Sequence, residues 1–261
     1  MDPAAIVGLI LGAAAIVGGQ ILEGGSVFQI LQPTAALIVF GGTLGATALS
    51  FSMTDLQQSL GGFKSILFKP SESPEALIQE IVEMANVMRK EGILALEQSI
   101  PTITHPLLRT GIRHAVDGLE PTVTRELLET DMMVQEEREE VSAKVYEAAG
   151  GYAPTIGILG AVLGLIQVMQ NLENLTAVGH GIAVAFVATV YGVGSANLLF
   201  LPIGNKIKRQ LVQARVCKEL IIQGVLAIQE GLNPRLVEEK LRVYLAETPA
   251  AREERAQVAA D

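Results

Sequence analysis

Residues 154–202 contain two apolar runs, 154–172 and 181–201, without a single Asp, Glu, Lys or Arg. Each is about 20 residues long, which at ~1.5 Å rise per residue crosses the ~30 Å hydrocarbon core of a bilayer. A short break at residues 171–180 separates them. Small residues recur three or four positions apart in both runs: Gly157, Gly160, Ala161 and Gly164 in the first, and Ala185, Ala188, Thr189, Gly192 and Ala196 in the second. That spacing makes a flat helical face on which two backbones can approach closely, the usual contact between helices in lipid. The expectation is a tightly packed transmembrane hairpin, bounded at its cytoplasmic ends by Pro154 and Pro202.

Two more apolar blocks precede it. Residues 1–22 resemble a signal peptide only superficially, because no Lys or Arg stands at the start and Asp2 is acidic. Gly8 and Gly12 lie four apart, so the block reads as a retained first span. Residues 23–26 (EGGS) read as a turn, and residues 32–50 as a second span with Pro33 near its start. The predicted fold class is all-α: a polytopic membrane protein with four transmembrane helices and a helical cytoplasmic domain. Its expected parts are residues 1–50 (spans one and two), 51–150 (a cytoplasmic helical loop domain), 151–202 (spans three and four) and 203–261 (cytoplasmic C-terminal helices and tail).

Within the polar loop, Ser73, Pro74 and Glu75 form a helix start: a capping hydroxyl, a preset φ and an acid against the dipole. Leu77, Ile81, Met84 and Met88 continue at helical spacing, and Gly92 ends the run. A short helix over residues 93–100 is expected to stop at Pro101, and a third to cover residues 107–116. Pro121 opens a long fourth helix running toward the third span. Beyond Pro202 the chain turns basic, with an amphipathic helix leaving the membrane. Pro234 opens a last helix to about residue 246, and residues 248–261 read as a polar tail.

Charge orients the chain. The loop at 51–150 holds 9 Lys and Arg and the part after Pro202 holds 10, which accounts for all 19. Neither hairpin connection has one, so both polar parts and both termini are expected to be cytoplasmic. The chain is thus expected to cross a membrane several times. The net charge of −9 argues against a nucleic-acid partner. Cys217 is the only cysteine, and His105, His114 and His180 lack metal-ligand spacing. No cofactor is implied and no catalytic constellation is visible, so the sequence gives no support to an enzyme.

The spans hold almost nothing polar. Thr189, on one face with Ala185, Gly192 and Ala196, either bonds back to its own helix or lines a path for a cation. Ion paths need an ionisable group within the membrane. These spans have none, so a partner would have to supply the carboxylate.

Four spans, a large cytoplasmic loop between the second and third, and a helical tail resemble the A subunits of flagellar motor stators, the MotA/PomA family. The resemblance rests on residues 89–97 (RKEGILALE), 153–161 (APTIGILGA), 183–192 (AVAFVATVYG), Pro202 and 230–234 (EGLNP), in that order, and covers roughly residues 1–246. It implies a homo-pentamer around a dimer of a MotB/PomB-like B subunit that carries the membrane aspartate. It also implies a FliG-like rotor protein engaged by the loop. Arg89 and Glu97 match the family's rotor-facing charged pair, with Lys90 beside them, although by themselves they read as surface charges. Pro154 and Pro202 match prolines implied to couple protonation to loop movement. Sodium-driven members carry threonine at the position of Ala161 as well as at that of Thr189. Alanine offers no oxygen to replace sodium's hydration shell, so the resemblance implies H+ as the transported ion.

Two other readings compete. Members of the ExbB/TolQ group also join a threonine-bearing hairpin to an aspartate-bearing partner, but they usually have three spans, and residues 89–97 speak against them. A self-contained channel or transporter should show its own intramembrane ionisable group or discontinuous helices, and neither is visible in the sequence.

Overall fold

The computed structural model describes the backbone of residues 3–68 and 73–245, and side chains over 4–62 and 73–245. Lys69 and the expected polar tail at 248–261 lie outside the described residues. The described residues are helical throughout: α1 (Pro3–Leu22), α2 (Val27–Ile30), α3 (Pro33–Ser50), α4 (Met53–Phe68), α5 (Pro74–Glu91), a 3-10 helix (Ile93–Thr102), α6 (Pro106–Val116), α7 (Pro121–Gln170), α8 (Leu175–Gln229) and α9 (Pro234–Leu245). Four of these, α1, α3, α7 and α8, are long and apolar enough to cross a membrane. The chain forms two compact units, one of residues 1–70 and 139–208, the other of residues 71–138 and 209–261.

The first unit is held together by the small-residue faces of α7 and α8. A Cβ on Gly157 would lie 2.9 Å from the Ala188 carbonyl oxygen, and one on Gly164 2.8 Å from that of Gly181. A Cβ on Gly192 would lie 2.5 Å from the Ala153 carbonyl. These positions admit only glycine because the partner atom is backbone, which cannot swing aside. Helix α3 packs on the same pair, with Gly42 against Ile156 and Ile38 against Gly160. Much of the unit's outer surface remains apolar and exposed, including Leu11, Phe186 and Met169. A surface of that kind is solvated by lipid or covered by other apolar helices.

Beyond the apolar runs, the α7–α8 pair continues as a polar stem within this unit. Gly204 sits on Glu147 and Ala143, Lys208 pairs with Glu147 at 2.6 Å, and the Tyr146 hydroxyl donates to the Ser59 carbonyl at 3.1 Å. The Lys208–Glu147 pair is solvent-exposed and contributes only about 0–1 kcal/mol. The close backbone packing is what fixes the stem.

The second unit has a conventional core. Helix α5 buries Leu77, Ile78, Ile81 and Met84 against Leu107, Leu108 and Ile112 of α6 and Leu128 of α7. Leu220, Ile221 and Val225 of α8 and Val237 and Leu241 of α9 complete it. Each fully buried aliphatic side chain contributes about 1.5–3 kcal/mol. Ser73 caps α5 as its sequence implies, accepting from the Ala76 N–H, and Gly92 at φ +86° turns the chain out of it. Burial pushes the Glu80 carboxyl above its ordinary value, while His105 and the Thr104 backbone partly oppose the rise.

Three local features differ from expectation. Residues 93–102 wind as a 3-10 helix that includes Pro101 instead of ending before it. The turn at 23–26 leads into the single-turn α2, closed by a capping box in which Ser26 and Gln29 bond each other's backbone. Neither Pro154 nor Pro202 ends a helix: each lies inside a continuous one, α7 and α8.

Candidate functional site

The facing positions of the α7–α8 hairpin fix where its remaining side chains point. Gly160 faces Ala188. In two antiparallel helices, one step onward from a facing pair turns both chains to the same side, at ~100° per residue. Ala161 and Thr189 therefore lie on one side of the hairpin, offset by about 3 Å along its axis. Both are half-buried within the single chain. The structure thus brings together the two positions proposed from sequence for the ion path. The Thr189 hydroxyl donates to the Ala185 carbonyl at 3.3 Å, within its own helix. That bond uses the hydroxyl hydrogen and leaves the lone pairs of the Thr189 oxygen free to accept a further hydrogen bond.

The opposite side of the hairpin is occupied. There Ile38 and Gly42 of α3 meet α7, and the Phe40 ring lies 5.7 Å from that of Tyr191 on α8. The Tyr191 hydroxyl donates to the Ile30 carbonyl and accepts from the Gln32 N–H at 3.3 Å. Those two groups flank Leu31, the break between α2 and α3. Tyr191 is in the middle of the apolar run 181–201, so the broken backbone lies at membrane depth, where unsatisfied polar groups are costly. The sequence reading passed over Tyr191. Its available signal was a lone phenol in a run otherwise nearly free of polar groups.

Pro202 follows a π-helical turn, Ala196–Phe200, in which the Leu201 N–H reaches back to the Ala196 carbonyl. Proline explains it: Pro202 has no N–H for the Leu198 carbonyl, and its ring crowds that carbonyl, so the helix widens just before it. Leu201 packs on Gly150, which puts Pro154 about 6 Å further along α7 toward Thr189. The two prolines are staggered rather than level.

The charged candidates belong to the second unit. Arg89 and Lys90 are exposed in the last turn of α5, and Glu97 is exposed on the 3-10 helix beyond Gly92. Among the described residues, Arg89 and Glu97 do not pair with each other. Both charges are therefore open to solvent instead of being neutralised by each other. No group of His, Cys, Asp and Glu suited to a metal occurs among the described residues.

Fold and site together define a four-span membrane protein with a small-residue hairpin whose apolar runs hold no Asp, Glu, Lys or Arg. The sequence matches two family models: "Motility protein A N-terminal" over residues 6–92 and "MotA/TolQ/ExbB proton channel family" over residues 99–220. It is 36% identical to motility protein A of Bacillus subtilis, over 94% of this chain and 91% of that protein. It is 37% identical to chemotaxis protein PomA of Vibrio alginolyticus, over 97% and 99%. The fold matches the Campylobacter jejuni MotAB structure with a TM-score of 0.89 at 31% identity, covering 95% of this chain and 98% of that one. It also matches the Bacillus subtilis flagellar MotAB stator complex with a TM-score of 0.86 at 34% identity. The chain belongs to the motility protein A family.

Proposed function

We propose that the chain is the A subunit of a proton-driven flagellar stator, in which a MotB-like partner supplies the missing membrane carboxylate. The observation that carries this is an ion-path face, Ala161 and Thr189, on a hairpin with no acid of its own, in a chain of the motility protein A family. The N-terminal match, which covers the first two spans and Arg89, favours this reading over an ExbB/TolQ-like energiser of another process. Protons pass between the partner's aspartate and water held along the Thr189 side of the hairpin. One charge falling through 100 mV releases about 2.3 kcal/mol, which drives movement of the A ring around the partner. The ring is a pentamer around a B dimer, with both termini of each chain cytoplasmic. Arg89, Lys90 and Glu97 meet complementary charges on a FliG-like rotor protein, and Pro154 and Pro202 provide the hinge between ion path and loop.

Ala161 supports the choice of ion. Sodium must exchange its water shell for protein oxygens, and this position has none, whereas a proton needs only a carboxylate and a water chain. The test is swimming in cells lacking their own stators, expressing this chain with its B-type partner at fixed proton-motive force. Swimming should persist without sodium and stop with a protonophore. A requirement for sodium would keep the stator and overturn the ion.

A further inference from the structure

Tyr191 is two residues beyond Thr189, about 200° around the helix, so the two side chains leave α8 on opposite sides. Thr189 shares its side with Ala161. Tyr191 is bonded on the other side to two backbone groups of the span-one to span-two connection, Ile30 and Gln32, and its ring meets Phe40. Phe40 belongs to a π-helical turn, Leu37–Gly41, that interrupts α3. One side chain therefore touches both irregular segments of the outer hairpin: the extended break at residues 31–32 and the widened turn.

These contacts are unlike the rest of the interface. Gly157, Gly164 and Gly192 let α7 and α8 approach, but smooth small-residue faces resist rotation of a helix about its axis only weakly. A phenol bonded to fixed backbone groups through both its donor and its acceptor resists it strongly. The acceptor and donor it uses flank a break where no helical partner is available, so the bonds cannot be replaced by sliding to the next residue.

We infer that Tyr191 is a positioning residue for ion passage: it fixes the rotation of α8 and so aims the Thr189 hydroxyl into the path. The inference rests on the proposed role of Thr189. It predicts that removing only the phenolic oxygen, with the ring and its Phe40 contact retained, turns Thr189 away without dispersing the hairpin.

The experiment uses the full chain with its B-type partner in membranes. Thr189→Cys is labelled with a small, membrane-impermeant cationic methanethiosulfonate, with and without Tyr191→Phe, and modification is mapped by mass so that the buried Cys217 serves as an internal reference. Ala161→Cys, on α7, is the control, because its direction does not depend on Tyr191. Tyr191→Phe should slow labelling at position 189 several-fold, leave the rate at position 161 unchanged, preserve co-purification with the partner and lower swimming speed. An unchanged rate at 189 overturns the inference while leaving the path intact. Equal changes at 189 and 161, or loss of assembly, show general loosening and overturn it too. Absence of labelling at 189 even with Tyr191 present means that Thr189 does not line the water path, and then both readings fall.

Discussion

At position 189 a hydroxyl borrows an acceptor from its own helix, and at position 161 a methyl group stands on the same side of the hairpin, on the neighbouring helix. In the proposed stator this side of the hairpin offers one hydroxyl oxygen per chain, which is the ground for proposing a proton instead of a dehydrated cation. Charge governs the other candidate residues. Arg89 and Glu97 are exposed and neutralise no described neighbour, so exchanging them should cost the fold within about 0.5 kcal/mol. Arg89→Glu and Glu97→Arg should each sharply reduce swimming while the thermal midpoint of the purified complex stays where it was. Loss of stability and swimming together would make them structural residues. Thr189, Ala161, Arg89 and Glu97 could be singled out from their place in recognisable stretches, and the roles given to them belong to the proposed function. Tyr191 was not, because its role depends on a helix break 160 positions away in sequence, and no periodicity on α8 encodes that partner.

Among the elements, the unbroken passage of α7 and α8 through Pro154 and Pro202 has the largest mechanical consequence. A proline that ends a helix separates two bodies. A proline inside one leaves a continuous rod with a soft point, and the π-helical turn at Ala196–Phe200 marks that point in α8. Pro202→Ala returns an N–H to the Leu198 carbonyl and should straighten the turn. Proline in a helix interior costs about 3 kcal/mol relative to alanine, so the variant should melt at a higher temperature. If the soft point is part of coupling, the same variant should swim more slowly. Faster or unchanged swimming with higher stability would make Pro202 a tolerated irregularity. The four spans and the capped start of α5 could be read from the chain because each has a local cause: hydropathy, and a serine before a proline. The 3-10 winding of Ile93–Thr102 could not. Its residues satisfy an α-helical pattern, and the one side chain it buries, Leu96, gives no local sign of the tighter coil.

For the whole molecule, the distribution of charge states the central claim. Every lysine and arginine lies in the two polar parts, the spans hold no acid or base, and the hairpin still keeps an ordered polar position. In the proposed function such a chain builds the wall of an ion path and leaves the carrying group to another protein. The large exposed apolar surface of the first unit agrees with a chain that is complete only among other helices in a bilayer. The most direct measurement is proton flux across membranes containing this chain alone, with its B-type partner, and with a partner whose membrane aspartate is replaced by asparagine. The account predicts flux only with the intact pair. Flux through the chain alone, or flux that survives the asparagine exchange, would contradict it.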